Sequence, residues 1–198
     1  RVSFTDDGRL MALAQFGVGY AVATLGTATT PMHVSKLLRL ADTVVFCFDG
    51  DNAGRKAAWK ALEVSLPVLA DGKSVAFLFL PAEDDPDTYV RRLGKEAFLA
   101  ALAEAKPLSQ VLVAEIASKV DMGTEEGRAT FLARAKPLVS QIEAPALGAM
   151  IRKRLAEMAG LDPSELPSYL PVRDAGRTRP SPPARVVRRA HSFEAQML

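Results

Sequence analysis

Two stretches of the chain are continuously apolar, and both stop at acids. Val44-Val45-Phe46-Cys47-Phe48 runs into Asp49-Gly50-Asp51, and Val75-Ala76-Phe77-Leu78-Phe79-Leu80 runs into Glu83-Asp84-Asp85-Pro86-Asp87. Short runs of β-branched and aromatic residues without polar alternation predict strands buried on both faces, as in a parallel sheet. Between them, residues 53–69 have helical spacing, and Pro67 predicts a kink or an end near Leu66. Asp71-Gly72 predicts a turn. Upstream, residues 19–24 predict a strand and 25–30 a turn of small residues. Thr30 and Pro31 predict the N-cap and first residue of a helix over 31–40, with Val34, Leu37 and Leu38 on one face. Residues 10–16 predict a short apolar helix stopped by Gly17. Residues 1–9 look frayed or loop-like, with 1–4 barely a strand.

Beyond Gly94 only helical spacing recurs. Helices are expected over 95–104, 108–120, 124–142 and 144–159, separated at Pro107, Met122-Gly123 and Pro145, and Asp162-Pro163-Ser164-Glu165 would start one more. No strand is expected in 95–170. From Pro171 onward Arg, Pro, Ser and Ala dominate, a composition that cannot bury a core and predicts a disordered linker. The expected fold class is therefore α/β followed by all-α: a parallel sheet with helices on both faces over 1–94, a helical bundle over 95–170, and a basic linker over 171–198.

Composition narrows the function classes. Apolar residues make up 48% of the 198, enough for a core, and no apolar run is long enough to span a membrane. Cys47 is the one cysteine and lies inside an apolar strand, so it reads as a buried thiol in a reducing, cytoplasmic setting. One cysteine with two distant histidines, His33 and His191, cannot build a zinc site. The net charge of +2 conceals an asymmetry: residues 171–198 hold six arginines against Asp174 and Glu194, which leaves the remainder slightly acidic. The compact part is thus not a basic DNA-coating protein. The chain starts at Arg1 rather than Met and is expected to be a piece of a longer protein.

Candidate chemistry concentrates where the apolar runs end. In open α/β sheets ligands bind past the carboxyl ends of strands, which is where Asp49 and Asp51 fall. Closely spaced carboxylates repel one another unless a cation lies between them. Hard oxygen donors suit Mg²⁺, which keeps several waters and binds through one or two carboxylates plus substrate phosphates. A calcium EF-hand loop is excluded because Ala53 and Lys60 occupy positions that need ligands. An aspartyl-phosphate phosphatase pattern fails at Ala53. The plain structural alternative is that Asp51 or Asn52 caps the following helix, and that Asp85-Pro86 caps another. Arg55, Lys56 and Lys60, like Arg152-Lys153-Arg154, read either as phosphate contacts or as solvated helix faces. Trp59 reads as core rather than as a base-stacking platform.

The stretch Val45-Phe46-Cys47-Phe48-Asp49-Gly50-Asp51-Asn52-Ala53-Gly54-Arg55 resembles the Asp-Gly-Asp-x-Ala-Gly motif of a TOPRIM domain. With Ala12-Leu13-Ala14-Gln15-Phe16-Gly17, Ala23 through Thr30, Asp84-Asp85-Pro86-Asp87-Thr88 and Ala105-Lys106-Pro107-Leu108-Ser109, residues 10–170 resemble the catalytic core of the DnaG-type bacterial DNA primases. The resemblance implies a TOPRIM-type sheet followed by a helical subdomain. It implies that Asp49, Asp51, Asp85 and Asp87 bind Mg²⁺ or Mn²⁺, with Asp49 and Asp51 also catalytic. It implies an enzyme that makes RNA primers by nucleotidyl transfer from nucleoside triphosphates on single-stranded DNA template. A replicative helicase would be met through a C-terminal domain beyond residue 198, and the family's zinc-binding domain is not in this chain. One departure stands out: the family's opening strand ends in Glu-Gly-Tyr-Met-Asp, and those positions fall on Thr5-Asp6-Asp7-Gly8-Arg9. With Thr5 where that Glu would be, the chain alone is expected to be inactive. The alternative reading is a degenerate, non-catalytic TOPRIM module that binds nucleic acid or protein. A TOPRIM nuclease or topoisomerase relative lacks support, since Tyr20, Tyr89 and Tyr169 all lie in primase-like surroundings.

Overall fold

The computed structural model describes residues 2–5, 19, 21–23, 29–81, 83–162, 164–165 and 169–170. Five strands, β1 (Val2–Thr5), β2 (Ala21–Ala23), β3 (Thr43–Phe48), β4 (Ser74–Phe79) and β5 (Lys106–Pro107), form one sheet in the order β2-β1-β3-β4-β5. Six helices are described: α1 (Pro31–Leu40), α2 (Asn52–Ser65), α3 (Pro86–Ala103), α4 (Leu108–Ala117), α5 (Glu125–Val139) and α6 (Pro145–Ala159). The expected helix over 10–16, most of the turn over 25–30 and the linker from 171 lie outside the described residues, as does most of the short helix expected from Asp162.

Local chemistry accounts for the element boundaries. Thr30 accepts a hydrogen bond from the His33 N–H at 3.3 Å, and Pro31 occupies the first helical position of α1, where an N–H would have no partner anyway. Helix α2 stops at Ser65, just ahead of Pro67. Helix α3 bends at Gly94, whose φ of 83° lies in the left-handed region.

Two expectations fail here. The weak periodicity of the first residues predicts no organised strand, yet Val2–Thr5 is an inner strand, parallel to β2 on one side (Ser3 opposite Ala21) and to β3 on the other (Val2 opposite Val44). Hydrogen bonding to two neighbours satisfies its backbone, so tertiary pairing decides the outcome rather than local propensity. Residues 95–170 predict no strand, yet Lys106–Pro107 pairs antiparallel with β4, which makes the sheet mixed rather than parallel throughout. Proline has no N–H to donate, and β5 lies at the sheet edge, where that costs no ladder bond.

Alternation along β3 and β4 divides the core between the two faces. Val44, Phe46, Val75 and Phe77 point into the larger cluster, with buried side chains from α1, α2, α4, α5 and α6. Val45, Cys47, Ala76 and Leu78 point the other way, onto Val90, Phe98 and Leu102 of α3. Helices therefore cover both faces. Phe46 and Phe77, directly opposite in register, stack with ring centroids 5.6 Å apart. Asp71, in the turn before β4, accepts hydrogen bonds from the N–H groups of Ala146 (2.9 Å) and Leu147 (3.1 Å). It thereby caps α6, whose own N-cap residue Ala144 provides no side-chain hydrogen bond, and ties that helix to the sheet.

Trp59 is half-buried against the larger cluster, donates to Glu63 Oε1 at 3.0 Å and carries the Lys119 ammonium 5.2 Å from its ring centre. Arg152 departs from its neighbours: Lys153 and Arg154 are exposed, whereas Arg152 is 6% exposed and donates to the Val139 carbonyl. Burial holds its guanidinium below the usual arginine value. It is a core residue of the α5–α6 interface, not part of a solvated basic face.

Candidate metal centre

Strand β3 delivers the chain to Asp49 at a particular place in the sheet. In the order β2-β1-β3-β4, the chain leaves β1 toward β2 and leaves β3 toward β4. The crevice between the carboxyl ends of β1 and β3 is the topological switch point at which open α/β sheets bind ligands. Asp49 is half-buried just past the end of β3. Asp51, two residues on, is exposed and caps α2, its Oδ1 accepting from the Gly54 N–H at 2.6 Å.

Gly54 explains the spacing of this turn. A Cβ built at Gly54 would lie 2.1 Å from the carbonyl oxygen of Asp49, well inside contact distance. Only glycine lets the first turn of α2 settle directly onto the Asp49 backbone. Arg55, next along, is exposed and holds its guanidinium carbon 5.7 Å from the Phe79 ring centre, so a cation stands where β4 ends.

The second acidic stretch follows β4. Phe48 and Phe79 are register partners, and the Leu80 N–H donates to the Phe48 carbonyl at 3.0 Å, so the pairing continues past the strand ends. Asp85 caps α3 through a reciprocal box with Thr88, each backbone N–H donating to the other's side chain at 2.8 Å. Pro86 is the first helical residue. Asp87 is held by Arg91, whose Nε donates to Asp87 Oδ1 at 2.6 Å. Asp84 is 5% exposed and takes the fork of Arg92: Nε donates to Oδ1 at 3.3 Å and Nη2 donates to Oδ2. The hydrogen bond to Asp84 holds the Arg92 guanidinium above its ordinary value.

The acids expected to bind metal thus stand in two pairs at the carboxyl ends of adjacent parallel strands, Asp49 with Asp51 and Asp85 with Asp87. Two of the four, Asp51 and Asp85, serve as helix caps, as the structural alternative requires. Capping occupies one carboxylate oxygen and leaves the net charge in place. Among the described residues no three His, Cys, Asp or Glu side chains stand close enough together to form an all-protein cage. Mg²⁺ does not need one: it keeps several waters and takes one or two carboxylates plus substrate phosphates. Such a donor set would suit a hydrated Mg²⁺ rather than a dehydrated structural ion. Thr5, at the position of the family's Glu, ends β1 beside Ala23 of β2. Asp84 and Arg92 were not singled out by sequence reasoning. Asp84 precedes the cap of α3 and Arg92 lies within the helix, so no single helical or strand period pairs them.

This architecture is that of a Toprim domain with a helical region behind it. The Toprim-like family model matches residues 10–90, and the model described as the DnaB-helicase binding domain of primase matches residues 109–164. The DNA primase of Neisseria meningitidis is 52% identical over 162 residues, which are 81% of this chain and 28% of that protein. A solved DnaG catalytic core superposes with a TM-score of 0.81 at 44% identity, covering 84% of this chain and 54% of that one. A DnaG primase catalytic domain bound to ssDNA gives a TM-score of 0.76 at 45% identity, covering 79% and 51%. Over most of its length the chain is similar to the DnaG-type bacterial primases, and it spans about three-tenths of the length of the curated relative it matches. The resemblance places helicase contact beyond residue 198, whereas the helicase-binding family model falls on residues 109–164, which hold all of α4 but Leu108 together with α5 and α6. Among the described residues no helix is long and apolar enough to cross a membrane.

Proposed function

We propose that this chain supplies the metal-binding part of a primase catalytic core, with residues 1–94 as its Toprim unit, 95–170 as its helical subdomain and 171–198 as a linker. The observation that carries the reading is the placement of two acid pairs at the carboxyl ends of β3 and β4, beside the switch point. Asp49 and Asp51 would face a divalent cation from one strand end and Asp85 and Asp87 from the next, with one or two of the four in direct contact and water and phosphate oxygens completing the shell. When bound, Mg²⁺ or Mn²⁺ neutralises charge on phosphoryl oxygens and orients attacking and leaving oxygens during nucleotidyl transfer. The chain's own part is to fix those carboxylates. Helix caps hold Asp51 and Asp85, Gly54 seats Asp49, and Arg55 adds a cation where a triphosphate would enter.

The substrates would be nucleoside triphosphates and a single-stranded DNA template, in keeping with the ssDNA-bound relative. A replicative helicase would meet the α4–α6 segment, and the setting would be cytoplasmic. Thr5 at the end of β1 favours a second reading, a non-catalytic Toprim module that binds nucleic acid or protein.

Calorimetry of a ribonucleoside triphosphate with and without Mn²⁺ separates the two. We expect Mn²⁺ to strengthen triphosphate binding tenfold or more, and Asp85→Asn/Asp87→Asn to abolish that gain. Asn at position 85 still caps α3, so the fold is kept. Triphosphate affinity that is indifferent to Mn²⁺ would favour the non-catalytic module.

A further inference from the structure

The four acids of the candidate site need fixed directions, and two of them, the cap residue Asp85 and Asp87 in the first turn of α3, directly follow the loop after β4. That loop is clamped in an unusual way. Asp84 is a carboxylate almost wholly removed from water, and it lies directly before Asp85. Its N–H donates to the Pro81 carbonyl at 3.0 Å, which closes a turn. Both of its oxygens are taken by one guanidinium, that of Arg92, reaching back from the second turn of α3. The next arginine along, Arg91, holds Asp87. Consecutive arginines of α3 therefore grip the acids on either side of Asp85.

We propose that Asp84 and Arg92 form a positioning pair that sets the direction of the Asp85 and Asp87 carboxylates toward a divalent cation. The inference rests on the reading of Asp85 and Asp87 as metal-facing acids. Asp84 itself is no ligand, because it is buried and both oxygens are occupied. Its value lies in what happens without Arg92. A carboxylate stripped of the cation described beside it is costly to keep buried, and the loop relieves that cost by carrying it to water. Consecutive Cα atoms are about 3.8 Å apart, so any opening of the loop that hydrates Asp84 moves Asp85 with it and loosens the α3 cap. Arg92 acts through Asp84, not on the cation. Groups that orient metal ligands in this indirect way typically change metal affinity by about 10–100-fold when removed.

The test is Mn²⁺ affinity by calorimetry on the whole chain, measured together with the thermal midpoint. Arg92→Gln is expected to weaken Mn²⁺ binding about tenfold. Arg92→Lys keeps a charge but loses the planar fork; it should fold with a midpoint near wild type and bind Mn²⁺ several-fold more weakly. Lys73→Gln removes the ion pair to Asp42 ahead of β4 and should leave Mn²⁺ affinity unchanged, which separates positioning from general destabilisation. In an Asp85→Asn/Asp87→Asn background, Arg92→Lys should have no further effect. Wild-type Mn²⁺ affinity in the folded Arg92→Lys protein, with loss in Asp85→Asn/Asp87→Asn, would overturn the positioning role and leave the metal reading intact. No loss in Asp85→Asn/Asp87→Asn would overturn the metal reading, and this role with it.

Discussion

Gly54→Ala is expected to cost about 3 kcal/mol of folding stability and to weaken divalent-ion binding together with it. The added Cβ would meet the Asp49 carbonyl oxygen at 2.1 Å, a backbone atom that cannot rotate away. Relief requires the first turn of α2 to lift from the turn after β3, and Asp49 and Asp51 move with that turn. A second position gives the matching control. Gly127 occupies the same third place in α5, where a Cβ would lie 1.6 Å from the Asp121 carbonyl oxygen. Gly127→Ala should destabilise to a similar degree, yet leave Mn²⁺ affinity unchanged in the folded protein. Denaturant unfolding measures the first effect and calorimetry the second. Equal Mn²⁺ affinities for the two alanine variants would sever Gly54 from the site.

Phe77→Ala should be among the most destabilising single truncations, at about 3–5 kcal/mol. Phe77 is fully buried on β4, stacked with Phe46 at 5.6 Å and with Phe48 at 6.5 Å. Those three rings join the strands that carry the two acid pairs, and they face the side of the sheet covered by most of the helices. Removing the central ring leaves a cavity that stacked neighbours on fixed strands cannot close. Leu93→Ala makes a suitable comparison, because Leu93 is 45% exposed on α3 and should change stability by no more than about 0.5 kcal/mol. A Phe77→Ala cost near that of Leu93→Ala, in urea or guanidinium unfolding, would show that the aromatic stack is not the centre of the core.

The parts of the fold that were legible in the sequence are those whose cause is local. An apolar run, an acid pair and a glycine within a dozen residues specify β3, its turn and the start of α2. Thr30-Pro31 and Asp85-Pro86 specify two helix starts because a cap and a proline act within one turn. The features that were not legible are held by partners distant in sequence. Strand β1 exists because β2 and β3 flank it. Strand β5 is two residues long and is set by its register on β4. Arg152 looks solvated in a run of three cations, and only the packing of α5 against α6 puts it inside. Asp84 is indistinguishable from its acidic neighbours until Arg92 reaches it. Of the candidate site, the acids, the strand ends and the caps at Asp51 and Asp85 were readable; that arginines hold Asp84 and Asp87 was not.

The carboxylates past β3 and β4 are proposed to bind a divalent cation. That binding is tested most directly by titrating Mn²⁺ into the wild-type chain and into Asp49→Asn/Asp51→Asn by calorimetry. Asparagine keeps the α2 cap and removes the charge, so the variant should fold normally. Saturable binding is expected in the wild type, and its loss in the variant. Indistinguishable titrations would mean that these acids serve only as turn and cap residues, and would contradict the proposed metal centre.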